Sequence, residues 1–264
     1  MCASSDPLFL TTRWTVVRAA GQVASPVVDE ALETLCQAYW FPLYAYVRRQ
    51  GASKEDAEDL TQAFFAKLLE RRDFAGLKQE NGRFRAFVLA ALKHYLSNER
   101  DRAGRLKRGG NITHLALDWQ SADTQFQIAD DAQIPPDAAY DREWAVALLE
   151  RVLARLRGES VADGKARRFE QLKEYLTAGK GEIPYASAAA RLALDEGAVR
   201  VAVHRLRKRY RELLRDEITQ TLADPRMVEE ELAVLLGAFG GLDGVRWQSE
   251  ARTPAPLWLG GDAT

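Results

Sequence analysis

The sequence predicts an all-α protein built from two small helical units, and three observations carry that prediction. Apolar residues recur at three- and four-residue spacing along most of the chain. Alternating apolar and polar runs of the kind a half-buried strand needs are missing. Clusters of Gly, Ser, Asn and Pro fall between the periodic stretches, where helices start and stop. The chain has 264 residues, 47% hydrophobic and 28% charged, the balance of an ordinary globular protein with room for one large domain or two small ones.

Taken in order, the first 29 residues hold a short apolar segment, Trp14-Thr15-Val16-Val17, and a Gly/Ser/Pro break at 21–26. A helix is expected over 29–49, with Pro42 bending or dividing it, because proline lacks the N–H that a helix interior uses. Ser53 is placed to cap the next helix, whose first turn sets Glu55 and Asp56 at the positive end and which runs to about residue 72. Asn81-Gly82 makes a turn before a helix over 83–102. Residues 107–141 read as a linker: they open on Gly109-Gly110, contain Pro135-Pro136 and are acidic and irregular. Helical pattern returns at 142–157, 166–177, 185–192 and 196–218. Asp224-Pro225 is a helix start, an N-cap followed by proline at the first helical position, and that short helix ends near Gly240-Gly241. The last twenty residues, rich in Gly, Pro and Ala, are expected to be loose. The organisation expected is an N-terminal extension (1–29), a helical unit (30–108), a linker (109–141), a second helical unit (142–218) and a C-terminal extension (219–264).

Composition narrows the function classes. No apolar run approaches the roughly 18–20 residues of a membrane helix, so no membrane insertion is expected. The first ten residues lack a signal-peptide pattern, which makes the cytoplasm the expected compartment. Cys2 and Cys36 cannot make a disulfide framework, and together with His94, His114 and His204 they show no metal-ligand spacing. The chain carries no GxGxxG, GxSxG or HExxH, and Gly179-Lys180 fails as a phosphate-binding loop because Glu174 stands where glycine is required. A non-catalytic protein with no metal or cofactor is expected.

The formal net charge of −1 conceals blocks of opposite sign. Residues 83–108 hold eight Lys/Arg against two acids, and residues 118–143 hold seven acids against Arg142 alone. Residues 165–215 hold thirteen Lys/Arg against six acids, and residues 216–264 nine acids against three bases. Two cationic blocks suit two contacts with one polyanion, although solvated helix faces would give the same count.

Three segments carry specific chemistry. In 182–214 a short helix, a tight connection at 193–195 and a longer basic helix follow one another, with small residues Ala188, Ala189 and Ala190 allowing close approach. Val199, Val203, Leu206, Tyr210 and Leu213 form one buried stripe, and Arg200, Val201, His204, Arg205 and Lys208 lie away from it. This is the layout of a helix-turn-helix, with an apolar back and an outer face of cations for phosphate and side chains long enough for base edges. Val201 suits a thymine methyl. An ordinary helical hairpin with a basic face is the plainer alternative. In 53–72, Ala57, Leu60, Phe64 and Leu68 make the core stripe, while Asp59 and Gln62 share another face beside Phe65 and Leu69. That flank is either a protein-docking surface or part of a wide buried face. In 82–110, a core face of Phe84, Phe87, Val88, Ala91, Leu92, Tyr95 and Leu96 is bracketed by Arg83, Arg85, Lys93, Arg100, Arg102, Arg105, Lys107 and Arg108. Aromatics among bases suit single-stranded nucleic acid, where bases stack and cations hold the backbone, though such aromatics are also ordinary core.

The order of these segments resembles a family. Tyr39-Trp40-Phe41-Pro42-Leu43-Tyr44, then EDAEDLTQAFFAKLLE at 55–70, then GRFRAFVLAALKHYL at 82–96, resembles the second conserved region of bacterial RNA polymerase sigma factors of the extracytoplasmic-function (ECF) group. The helix-turn-helix at 185–214 resembles their fourth region. The resemblance covers about residues 30–108 and 143–218. It implies core RNA polymerase, through the clamp of its largest subunit, and promoter DNA as partners, and an anti-sigma protein is a further partner the family admits. By matching position it implies polymerase contacts at Asp59, Leu60, Gln62, Phe65 and Leu69. Promoter melting and minus-ten contacts would fall on Phe84, Arg85, Lys93, Asn98, Arg100 and Arg102. The minus-thirty-five reader would be the 196–209 helix, with Glu196, Arg200, Val201, His204, Arg205, Lys208 and Arg209. A duplex-binding regulator that never engages polymerase would need the second unit but would have no use for Asp59, Gln62 and Phe65. A protein-binding helical adaptor would leave the arginines of 205–211 unexplained.

The segment after residue 216 extends beyond the two-unit pattern. Val228, Leu232, Leu235, Leu236 and Phe239 share a stripe behind Glu229, Glu230 and Glu231, and a helix this short needs a docking site. It either shields the basic DNA-binding surface or completes the core of the second unit.

Overall fold

The computed structural model describes residues 26–71, 83–103, 126, 134–179, 182–222 and 224–238. The described residues form an all-α fold: α1 (Pro26–Arg49), α2 (Lys54–Arg71), α3 (Phe84–Ala103), α4 (Pro136–Ala162), α5 (Ala166–Leu172), α6 (Tyr185–Leu192), α7 (Glu196–Gln220) and α8 (Val228–Gly237). Short 3-10 turns, Lys173–Leu176 and Pro225–Met227, extend α5 and precede α8. None of the described helices is long and apolar enough to cross a membrane, and no described group of His, Cys, Asp or Glu could hold a metal ion. The N-terminal apolar segment, the Asn81-Gly82 turn, Phe239 and the final residues lie outside the described set.

Local signals explain most boundaries. The Asp56 N–H donates to Ser53 Oγ at 3.1 Å, so Ser53 caps α2 as its position predicts. Asp224 accepts from the Arg226 N–H at 2.9 Å and opens the Pro225–Met227 turn. Pro42 neither divides nor ends α1, which runs unbroken from Pro26 to Arg49. The burial of Tyr39, Phe41, Leu43, Tyr44 and Tyr46 around Pro42 holds the helix together at its weak point.

The larger departure concerns the linker. Pro135-Pro136 is a helix start, with Pro136 at a first-turn position where its missing N–H costs nothing. The helix it opens has 27 residues and spans about 40 Å at 1.5 Å per residue. Residues 136–141 therefore belong to α4 and not to a linker. Phe126, also inside the expected linker, is buried against α1, with its ring edge-on to Tyr44 at 6.3 Å and the Arg48 guanidinium 4.8 Å from its centroid.

Two hydrophobic clusters result, and they do not follow the expected 30–108 and 142–218 units. The large one joins α1, α2, α3, the length of α4, the second half of α7 and α8, around Tyr39, Phe84, Trp144, Leu213, Ile218 and Leu235. The small one joins α6 and the first half of α7 around Leu172, Tyr175, Ala188, Val199 and Val203, while Phe169 of α5 and Leu176 of the turn after it face the large one. The first half of α4 lies on α1 and α7 lies along α4, so two long helices tie the clusters together. A bridge between Arg83 and Leu222, with the Phe84 N–H donating to the Thr221 carbonyl at 3.1 Å, fastens the start of α3 to the end of α7.

The C-terminal helix completes this core. Val228 and Leu235 are buried in the large cluster and Leu232 packs against it. Its acids close on cations of α7 and of the start of α3: Glu229 pairs with Arg215 at 2.8 Å, Glu230 with Arg83 at 2.5 Å, and buried Glu231 with Arg83 at 2.9 Å and Arg85 at 2.5 Å. Arg85 also pairs with Asp141 of α4, and its carbonyl accepts from the Tyr140 hydroxyl at 3.0 Å. Core completion, rather than shielding of the helix-turn-helix, is thus the role of the described part of the extension. The core it completes is the shared one.

Three outcomes follow for stability. Replacing Arg85 with Met leaves Glu231 buried without its main partner and should cost about 3–5 kcal/mol, measured by urea unfolding. Leu235→Ala should cost about 2–4 kcal/mol by the same assay, whereas a purely peripheral α8 would leave both midpoints unchanged. Burial pushes the Glu143 carboxyl up, against the pull of Arg142 and Arg49. A carboxyl raised by folding contributes most at low pH and loses that contribution as pH rises through its folded value. Glu143→Gln should therefore gain stability over the native chain as pH is raised from about 4 to 7, and a gap that is constant with pH would contradict this.

Candidate nucleic-acid interface

The helix-turn-helix is assembled from its turn outward. Ala193 ends α6 in the left-handed region, at φ 53° and ψ 44°. The Leu194 N–H donates to the Ala189 carbonyl at 3.0 Å and the Ala193 N–H to Ala190 at 3.5 Å, which closes the helix with the paired bonds of a glycine-type stop, here made with alanine. Two residues later the Ala198 N–H donates to Asp195 Oδ1 at 2.8 Å and starts α7. Gly197 leaves room for that cap, since a Cβ there would stand 2.9 Å from the same oxygen. The apolar backs of α6 and α7 meet through Ala188, Ala189, Val199, Ala202 and Val203, all buried. Ala190, expected at this contact, faces solvent.

What remains outside is the face expected from the sequence. Glu196, Arg200, Val201, His204, Arg205 and Lys208 are all exposed, and Val201, at 50%, is among the most exposed large apolar side chains described. At about 100° per residue, Arg200, His204, Lys208, Val201 and Arg205 cover an arc of about 140°. Arg200, Arg205 and Lys208 make no ion pair with a described residue. Arg209 does not join them: its Nε and Nη2 donate to Glu159 of α4 at 2.8 and 2.7 Å, and its Nη1 to Glu212 at 3.2 Å. Those bonds, with Glu159 foremost, hold the guanidinium well above its ordinary pKa. Arg207 is likewise structural, donating to the Tyr175 and Ala178 carbonyls at 2.9 and 2.8 Å. The dense 205–209 run therefore splits, with Arg205 and Lys208 offered outward and Arg207 and Arg209 consumed by the fold.

A stack missed by sequence reasoning supports this face. The Tyr185 ring lies parallel to Tyr175, with centroids 5.5 Å apart and 13° between planes, and the Arg200 guanidinium sits 5.6 Å from the Tyr185 centroid. The tyrosines belong to one packed corner only because α6 folds back on the preceding turn, and no spacing in the sequence signals it.

The first unit is placed differently from expectation. On α2, Asp59 is exposed and Leu60 half-buried, but Gln62 is 6% exposed and Phe65 0%. The helix packs on both α1 and α3, so its buried face is the wide one and Phe65 is core, its ring 5.4 Å from Phe64. The Leu69 side chain lies outside the described set. On α3, Phe84 is buried edge-on to Tyr39 at 5.3 Å, and Arg85 is 6% exposed within the Glu231–Asp141 cluster. Neither offers a surface to DNA in this arrangement. Lys93 is partly exposed but bonded to Asp137 at 2.7 Å, which raises its pKa. Asn98 and Arg100 are exposed, Arg100 reaching the Gln50 side chain at 3.5 Å, and the Arg102 side chain lies outside the described set.

Comparison with protein-family models, with curated proteins and with solved structures found no match to this chain.

The turn makes its own test. Ala193→Gly should stabilise the protein by about 0.5–1 kcal/mol, since glycine occupies the left-handed region without the Cβ clash. Asp195→Ala should cost about 1 kcal/mol through loss of the cap. Thermal unfolding of both variants checks the pair, and equal destabilisation by the two would overturn the turn geometry.

Proposed function

We propose that this chain is a DNA-binding specificity factor of the ECF sigma type, a non-catalytic protein that joins core RNA polymerase to promoter DNA. The observation that carries the DNA part is the outer face of α7, where Arg200, His204, Arg205 and Lys208 surround exposed Val201 on a rigid helix-turn-helix. Exposed cations that make no ion pair with a described residue meet phosphate, and the apolar and forked side chains among them meet base edges. The sigma part is supported by the sequence resemblance over residues 30–108 and 143–218 and by exposed Asp59 on α2.

A second reading has an observation in its favour. Burial of Gln62, Phe65, Phe84 and Arg85 removes four of the residues that polymerase and opened DNA would touch. A helix-turn-helix regulator that acts without polymerase needs none of them exposed.

Binding of the full chain to duplex DNA should fall steeply with salt. If about four to six phosphates are neutralised, log affinity against log salt should slope near −4 to −5, and a flat response would exclude duplex binding. Retention on immobilised core RNA polymerase separates the two readings. For the sigma reading, Asp59→Ala should weaken retention by about 30-fold, as loss of an interface hot spot does, with an unchanged melting temperature. No binding of the native chain to core polymerase would leave the regulator.

A further inference from the structure

Among the cations on the outer face of α7, Arg200 alone is set over an aromatic ring of the described residues. The support is layered. Tyr175 is 2% exposed, and its hydroxyl donates to the Pro184 carbonyl at 2.9 Å, one residue before Tyr185. Tyr185 stacks flat on that fixed ring, and Arg200 lies over the other ring of the pair, 5.6 Å from the Tyr185 centroid. Arg205 and Lys208 have no aromatic or acidic support of this kind among the described residues.

We propose that Arg200 is a specificity-determining residue that reads a guanine in the major groove, with Tyr185 as its positioning residue. The inference rests on the duplex-binding reading above and names what that face recognises. An unsupported arginine must give up much of its rotamer freedom to make two parallel bonds, and this opposes binding. A cation–π contact with the ring restrains the guanidinium without using its N–H donors, which are left for acceptors outside the protein. Guanine presents O6 and N7 as two acceptors spaced for that fork, and no other base edge in the major groove does. Position agrees, because Arg200 is the fifth residue of α7, in the N-terminal part that a recognition helix sets against base edges. Exposed Val201 beside it adds an apolar contact suited to a thymine methyl nearby. Lys208 and Arg205, without such a ring beside them among the described residues, are left to phosphate, which demands charge and not a fixed orientation.

The test starts with duplexes selected from a randomised library by the full-length protein at low salt. The selected set should contain an invariant G·C pair whose replacement weakens binding roughly 5- to 150-fold, the worth of one bidentate contact. Placing 7-deazaguanine at that position removes the N7 acceptor and should reproduce most of the loss. Arg200→Lys keeps the charge and loses the fork, so it should abolish the preference at that pair while binding random-sequence duplex within about twofold of the native chain. Tyr185→Phe should retain the preference, and Tyr185→Leu should reduce it with little change on random duplex. Melting temperatures of all variants check the fold, and Arg200, being exposed, can be changed without disturbing the core. Retention of the guanine preference by folded Arg200→Lys would overturn the inference while leaving duplex binding intact. Equal loss on every sequence would do the same, because it would mark Arg200 as a phosphate contact. Failure of the native chain to bind any duplex would overturn the duplex-binding reading and this inference with it.

Discussion

The arrangement of this protein depends on one buried cation. Arg85 begins α3, yet its guanidinium lies inside the molecule, over the Trp144 ring at 5.6 Å and between Glu231 of α8 and Asp141 of α4. Burial disfavours its charge, and the bonds and charges of Glu231 and Asp141 outweigh that penalty, so its pKa stands above the ordinary value. A charge so placed is tolerated only when its partners arrive with good geometry. Three helices distant in sequence are therefore required at one point. Tyr140, whose hydroxyl donates to the Arg85 carbonyl, and Glu231, itself 1% exposed, fix the approach of α4 and α8 more narrowly than apolar packing would. The apolar contacts supply most of the driving force, and the ion cluster selects which of many greasy arrangements is kept.

This constraint has a cost for the first unit as a nucleic-acid surface. Arg83, Arg85 and Lys93 are three of the eight cations in residues 83–108, and acids of α4 and α8 hold all three. Asp137, Asp141, Glu230 and Glu231, from the acidic stretches on either side of the second basic block, thus serve as internal partners for the first. The second block is sorted in the same way at finer scale. Arg207 and Arg209 brace α7 against the turn after α5 and against α4, while Arg200, Arg205 and Lys208 are left on the outside. The recognition face thus keeps three cations that make no ion pair with a described residue, on a helix whose far half is anchored in the large core.

That anchoring matters for any reading of DNA. A recognition helix read at its N-terminal end transmits little error if its C-terminal end is immobile, and α7 is held there by Tyr210, Leu213, Leu214 and Ile218, all buried. Burial raises the Tyr210 phenol to about 12, consistent with a ring taken out of water. The helix thus belongs to both clusters, as a beam fixed at one end in the core and carrying the turn and the α6 corner at the other.

Much of the local structure was legible in the sequence because local physics decides it. Helical period placed α6 at its observed bounds and the Val199–Leu213 stripe on the buried side of α7, and Ser53 and Asp224 each stand at the helix start their positions predict. The exposed face of α7 followed from the same periodicity, since a stripe that is buried determines which residues are left out. What the sequence could not settle was everything that depends on which surfaces meet. Gln62 and Phe65 look outward on a helix with one neighbour and are buried on a helix with two. Arg85 and Arg209 read as offered cations until Glu231 and Glu159, 146 and 50 residues away, are brought beside them. Pro135-Pro136 signals a break or a beginning with equal force, and only the packing of α4 on α1 makes it a beginning. Periodicity reports that a face is apolar, but the partner that covers it, and the charges trapped at the edge of that contact, are properties of the assembled tertiary structure.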